Sequence, residues 1–243
     1  MLGRPFLSFC VGQVLRVQSL TWLGMFLFIS ACDQTPPPVP PNAAITSFPT
    51  FPNAECIENG RARIYDQCAD QFELFVSALE VANREKKVLL VSYGAEWCIW
   101  CHVFAAYIDG EAGSFTYTYG EEGDPERWTD TMKERAKDNL ERNAAALNQY
   151  VADNFVVLHI DYEFAPRGDE VLIVSGAADS YNNWLPFIFT VSEQGTFAAA
   201  LQSSEIEVRR NIIGYFRGYD REGLLNELKR IKNAAEHHDL ENK

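Results

Sequence analysis

Hydrophobic residues along the chain change period several times, and each change marks an element. Phe72, Phe75, Val76 and Leu79 recur at the three-to-four spacing of one helix face. Lys86-Lys87 then gives way to Val88-Leu89-Leu90-Val91-Ser92-Tyr93, a continuous apolar run of the kind a central strand shows when both faces are covered. The turn Gly94-Ala95-Glu96-Trp97 separates it from Trp100, Val103, Phe104, Tyr107 and Ile108, again at helical spacing. A longer helical pattern (Met132, Ala136, Leu140, Ala144, Leu147) opens on a Thr131-x-x-Glu134 capping box and leads into the apolar run Phe155 to Asp161. Phe187 to Val191 is a third such run, followed by the turn Glu193-Gln194-Gly195, and Leu224, Leu225, Leu228 and Ile231 predict a last helix capped near Asp220. Strands interleaved with helices predict an α/β fold.

Composition narrows the class without naming a function. The 243 residues are 47% hydrophobic and include sixteen Phe, enough to bury a sizeable core, so one globular domain with appendages is expected. Lys and Arg number 21 against 34 Asp and Glu, a formal charge of -13. Phosphate binding needs a basic surface that releases counterions, so the charge disfavours a nucleic-acid partner. No phosphate loop, Ser-His-Asp order or internal repeat is visible.

The N-terminus reads as an address. Residues 1–31 carry Arg4 and Arg16, no acidic residue, and an apolar run from Leu20 to Ile29. The stretch between Arg16 and Cys32 is shorter than the roughly 20 residues a spanning helix needs, which points to a signal peptide rather than a membrane span. An ordinary cleavage near Ala31 and an uncleaved anchor both fit that pattern. Phe28-Ile29-Ser30-Ala31-Cys32 resembles the lipobox of bacterial lipoproteins, which implies that Cys32 is acylated and becomes the new N-terminus. Asp33 behind it resembles the signal that retains some lipoproteins in the inner membrane. Residues 32–55 then form a linker, because the five prolines among Asp33 to Pro41 exclude helix and sheet and favour a semi-rigid spacer. The remaining domain, 56–243, would project strongly negative charge away from anionic lipid.

Six Cys, at 10, 32, 56, 68, 98 and 101, carry the candidate chemistry. Export places the chain where disulfides persist. With Cys10 leaving in the signal peptide and Cys32 used by lipid, four remain and three pairings are possible. The simplest is Cys56 with Cys68 as a structural staple and Cys98 with Cys101 as a Cys-x-x-Cys pair; a four-sulfur zinc site is the competing arrangement, weakened by the absence of a second tight Cys-x-x-Cys. The pattern puts Cys98 at the N-terminus of the helix after the first strand. Unsatisfied N–H groups there favour a thiolate, so Cys98 should be the nucleophile and Cys101, one turn on and more buried, the resolving thiol.

Residues 91–101, Val-Ser-Tyr-Gly-Ala-Glu-Trp-Cys-Ile-Trp-Cys, resemble the active-site segment of the thioredoxin family, and Asn183 to Val191 resemble its cis-proline loop and following hairpin. The resemblance covers about residues 70–232. It implies a three-layer thioredoxin-like fold, a central mixed sheet with helices on both faces, and an insertion at about 109–128 after the Cys-x-x-Cys helix. It implies a thiol-disulfide oxidoreductase acting on exported protein thiols and disulfides, with Cys98 and Cys101 catalytic and no metal or cofactor beyond the redox-active disulfide. Trp97, Glu96, His102, Leu185 and a cis Pro186 would support the site. Family members commonly carry a buried Asp in the preceding strand as proton acceptor for the resolving thiol; here that position holds Ser92, so the task would fall to Glu96, His102 or water. Glu96 otherwise reads as a surface residue beside the site, and His102 as a helix-surface residue.

Two other readings stay open. Cys98-Ile99-Trp100-Cys101-His102 is also a c-type haem attachment pattern, with Met132 or His159 as a distal ligand, although that leaves the apolar strand and the Leu185-Pro186 segment unexplained. A redox-inactive binding or scaffold module would use the aromatic residues Tyr93, Trp97, Trp100 and Trp184 to hold a partner; the same residues serve equally as packing. The acidic insertion is a solvated loop or a partner-selecting one.

Overall fold

The computed structural model describes residues 41–50, 63–111, 140–210 and 216–241, all within the unit Pro38–Lys243. The expected signal peptide, Cys32, most of the proline spacer, Cys56, the expected Thr131/Glu134 capping box and the body of the expected 109–128 insertion lie outside these residues. Five strands form one mixed sheet: β1 (Ser47–Phe48), β2 (Val88–Gly94), β3 (Phe155–Asp161), β4 (Phe187–Val191) and β5 (Phe197–Ala200), in the spatial order β1-β3-β2-β4-β5. β1 and β2 run parallel to β3, whereas β4 is antiparallel to β2 and β5 antiparallel to β4. The expected α/β class with a central mixed sheet is therefore present.

The continuous apolar runs are explained by what covers them. Leu89, Val91 and Tyr93 of β2, with Val156, Leu158 and Ile160 of β3, turn to one face and pack on helices α1 (Gln71–Glu85) and α4 (Gly168–Ser175). Leu90, Phe155, Val157 and Ile188 turn to the other, against α2 (Ile99–Ile108), α3 (Leu140–Asn154) and α6 (Arg221–Glu241). Alternate residues of one strand thus enter two separate cores, as the period of two requires. Each fully buried side chain of this kind contributes about 1.5–3 kcal/mol.

Helix ends follow local chemistry. The Asp70 carboxylate accepts the Glu73 N–H at 3.0 Å and starts α1, which ends at Lys86 in the left-handed region with φ 56°. Val76 differs from its expected place on the core face: it is exposed, and the helix buries Gln71, Phe75, Ala78 and Ala82 instead, because the stripe follows the 3.6-residue period toward small residues. Asp220 caps α6 as expected, its carboxylate accepting the Gly223 N–H at 2.6 Å. A short helix α5 (Ser203–Ile206) and a two-stranded ribbon of β6 (Glu207–Arg210) and β7 (Phe216–Tyr219) precede α6, an element the hydrophobic pattern did not predict. No helix among the described residues is long and apolar enough to cross a membrane.

Candidate functional site

The site stands where β2 ends and α2 begins. Gly94 closes the strand, the Cys98 N–H returns to the Ala95 carbonyl at 3.0 Å, and Cys98 is the N-cap of α2. Its sulfur accepts the Cys101 N–H at 3.2 Å, as a side chain at that position does to satisfy an orphan donor. Cys98 and Cys101 form a disulfide, with sulfurs 2.29 Å and Cα atoms 5.2 Å apart. Both are buried, Cys101 completely and Cys98 to 4% exposure. Cys68 is also disulfide-bonded; its expected partner, Cys56, lies outside the described residues.

Leu185 and Pro186 arrive from the segment before β4. The Leu185–Pro186 peptide is cis, and Leu185 packs on the cluster of Tyr65, Ala95, Cys98 and Cys101. Trp184, beside it in the chain, is 74% exposed. Trp97 is also exposed; its indole N–H donates to Glu163 at 2.6 Å and its ring meets Tyr162 edge-on. Trp100 is half-buried, held edge-on by Tyr219 of the β6–β7 ribbon. Tyr93 belongs to packing: it is buried on the α1 face and its hydroxyl donates to Asp169.

Glu96 and His102 are not surface residues. Glu96 is buried, its carboxylate accepting the N–H groups of Ile64 at 3.2 Å and Tyr65 at 3.1 Å, so a segment some thirty residues upstream folds over it. The His102 Nε2 lies 2.6 Å from the Glu96 carbonyl oxygen and 3.3 Å from its carboxylate; this is the atom a haem reading would require for iron. Burial pushes the Glu96 carboxyl up, against the lowering effect of those backbone N–H groups, and pushes the His102 imidazole down. Burial thus works against charge on either group.

Around Tyr65, which shares a buried cluster with Cys101, polar side chains gather; the sequence marked Ser92 and His159 but not Tyr65. Ser92 is fully buried, and its hydroxyl is 3.3 Å from that of Tyr65, itself fully buried. His159 stands beside Ser92 in the β2–β3 register, edge-on to the Tyr65 ring, with no hydrogen-bond partner for Nδ1 among the described residues. Burial, reinforced by His102, pushes its imidazole down to about 4. Asp161, opposite Gly94 at the end of β3, accepts the N–H groups of Glu163, Phe164 and Ala165 with one carboxylate oxygen and shapes the loop that carries Glu163 to Trp97. An Asp closing an apolar strand ahead of a loop was a signal available for it. None existed for Tyr65, whose role depends on a fold contact distant in sequence. Among the described residues no three His, Cys, Asp or Glu side chains gather as a metal site.

No protein-family model matches the chain, and no curated protein matches it.

Proposed function

We propose that the protein is a membrane-anchored thiol-disulfide oxidoreductase of thioredoxin-like fold that exchanges disulfides with exported proteins through Cys98 and Cys101. The observation that carries the reading is the Cys98–Cys101 disulfide at the N-terminus of α2, with Leu185 of a cis Leu185–Pro186 peptide packed against it. The strand order β1-β3-β2-β4-β5, with β4 the first antiparallel strand, supports the thioredoxin-like layout. In the reduced protein the Cys98 thiolate, favoured by the helix N-terminus, attacks one sulfur of a substrate disulfide and expels the other as a thiolate. Cys101, as its thiolate, then attacks the Cys98 sulfur; the intramolecular disulfide forms, the mixed disulfide breaks, and the substrate leaves reduced at both sulfurs. Run backwards, the same steps oxidise a substrate dithiol, and the reduction potential of the pair against its partner sets the direction.

Lipidation of Cys32 and a periplasm-facing position on the inner membrane belong to the same proposal and rest on Ile29-Ser30-Ala31-Cys32 and Asp33. The test is trapping. A Cys101→Ala variant should accumulate mixed disulfides with exported proteins at Cys98, and a Cys98→Ala variant should not. If thiol exchange survives Cys98→Ala, the enzyme reading fails. Replacement of Cys32 by Ala should release the protein from the membrane fraction.

A further inference from the structure

The missing carboxylate raises the question of which group meets the resolving sulfur when it carries charge. Charge on Cys101 arises whenever the disulfide opens, and its sulfur is completely buried. A buried thiolate without a hydrogen-bond donor is expensive. The Gly94 backbone shows what lies nearby: a Cβ there would stand 2.6 Å from the Cys101 sulfur and closer still to the Tyr65 hydroxyl. Both atoms therefore lie within 2.6 Å of one point, and within twice that distance of each other. The Tyr65 ring is fixed by its edge-on contact with His159, and its backbone N–H by Glu96. Its hydroxyl has a partner, Ser92, that can donate to it and leave the phenolic proton free.

We propose that Tyr65 serves the resolving sulfur, its hydroxyl, backed by Ser92, donating a hydrogen bond to the Cys101 thiolate when the Cys98–Cys101 bond breaks. The assignment rests on the oxidoreductase reading and adds a residue that motif and spacing do not reach. Burial pushes the phenol well above its ordinary range, opposed by Ser92, so Tyr65 keeps its proton and acts as a fixed donor, not as a base. Among the described residues, the other titratable groups around this volume are Glu96 from the turn before α2, His102 on α2, His159 and Asp161 on β3, and Arg63, whose charge acts on Glu96 and His102. Both histidines are driven toward the neutral form, and neither places a cation beside the sulfur. In the exchange, the proton does not move from Tyr65. Cys101 departs as a thiolate when an incoming substrate thiolate takes Cys98, or attacks as a thiolate when it resolves the mixed disulfide. The same hydrogen bond stabilises it in both directions.

The experiment titrates Cys101 by thiolate absorbance in full-length protein bearing Cys98→Ala, with and without Tyr65→Phe. A hydrogen bond to a charged group is strong enough that its loss should cut the thiolate-to-thiol ratio at a given pH by ~10-fold. Ser92→Ala, which leaves the ring in place, should shift the ratio the same way by less and keeps the test alive if Tyr65→Phe does not fold. In the Cys101→Ala background, Tyr65→Phe should leave the alkylation rate of Cys98 unchanged, which a general collapse of the site would not. An unaltered Cys101 titration in both Tyr65→Phe and Ser92→Ala overturns the assignment. The oxidoreductase reading stands or falls separately, on whether wild-type protein traps and releases substrate.

Discussion

Gly94→Ala adds one methyl group against the Cys101 sulfur and the Tyr65 hydroxyl, and the consequence depends on whether the Cys98–Cys101 disulfide is closed. The Gly94 backbone does not need glycine for its own conformation, so clearance alone decides the effect. The new Cβ would stand 2.6 Å from the Cys101 sulfur, inside any distance that real Cβ contacts show, and would also strike the Tyr65 hydroxyl. Neither neighbour can swing into solvent, since both residues are completely buried. Inserting a methyl into such a site costs about 1–3 kcal/mol. In the oxidised protein the Cys101 sulfur is tethered to Cys98 and cannot turn away; in the reduced protein it is free to change rotamer. If about 1.4 kcal/mol of the clash is relieved on reduction, the potential becomes less negative by about 30 mV. Equilibration with glutathione buffers, read by the fraction of alkylated protein, measures this, and urea unfolding of the oxidised form reads the total penalty. A potential that stays put or becomes more negative, in a variant that still folds, would refute the argument that the methyl presses selectively on the disulfide form.

Other consequences can be checked by unfolding. His159 has a folded value of about 4, below its ordinary value, so the fold favours the neutral imidazole: that contribution is complete above the unfolded value near 6.5 and is lost as pH falls toward 4. Between pH 7 and pH 4 wild-type protein should therefore lose about 3 kcal/mol more than His159→Leu, and parallel pH profiles would contradict this. Asp161→Ala strips an acceptor from three backbone N–H groups and should cost about 2–3 kcal/mol, while Asp161→Asn, which keeps the Oδ1 acceptor, should recover most of it; equal effects would show that charge and not the hydrogen bonds matters.

The central strands and the Cys helix were legible because each carries its own period. Val88 to Tyr93 is apolar except for the buried Ser92, since α1 lies on one face and α2, α3 and α6 on the other and no exposed position interrupts it. The position of Cys98 followed from the switch between the two periods, and Ser92 followed by counting back from Trp97. What the sequence hid depends on contacts between distant segments. Tyr65 sits in a polar stretch near Cys68 with nothing local to mark it as buried, and Glu96 is buried where Ile64 and Tyr65, distant in sequence, donate their N–H groups to it. The β6–β7 ribbon was missed for a related reason: Glu207-Val208-Arg209-Arg210 shows no apolar alternation, and the ribbon is anchored by Tyr219 against Trp100, Phe104 and Tyr107. β1 is two residues long, paired with β3 at Ser47 and Phe48, too short for any periodicity to announce it.

The most direct test of the account is a redox titration of the Cys98/Cys101 pair in the full-length protein, with each thiol identified by mass after alkylation. The account predicts one reversible two-electron transition in which both thiols appear together, with Cys98 alkylated faster than Cys101 in the reduced form. A pair that never reduces across the accessible range would make this disulfide a structural staple, preferential alkylation of Cys101 would reverse the roles, and a Soret band in the purified protein would replace the redox pair with haem attachment.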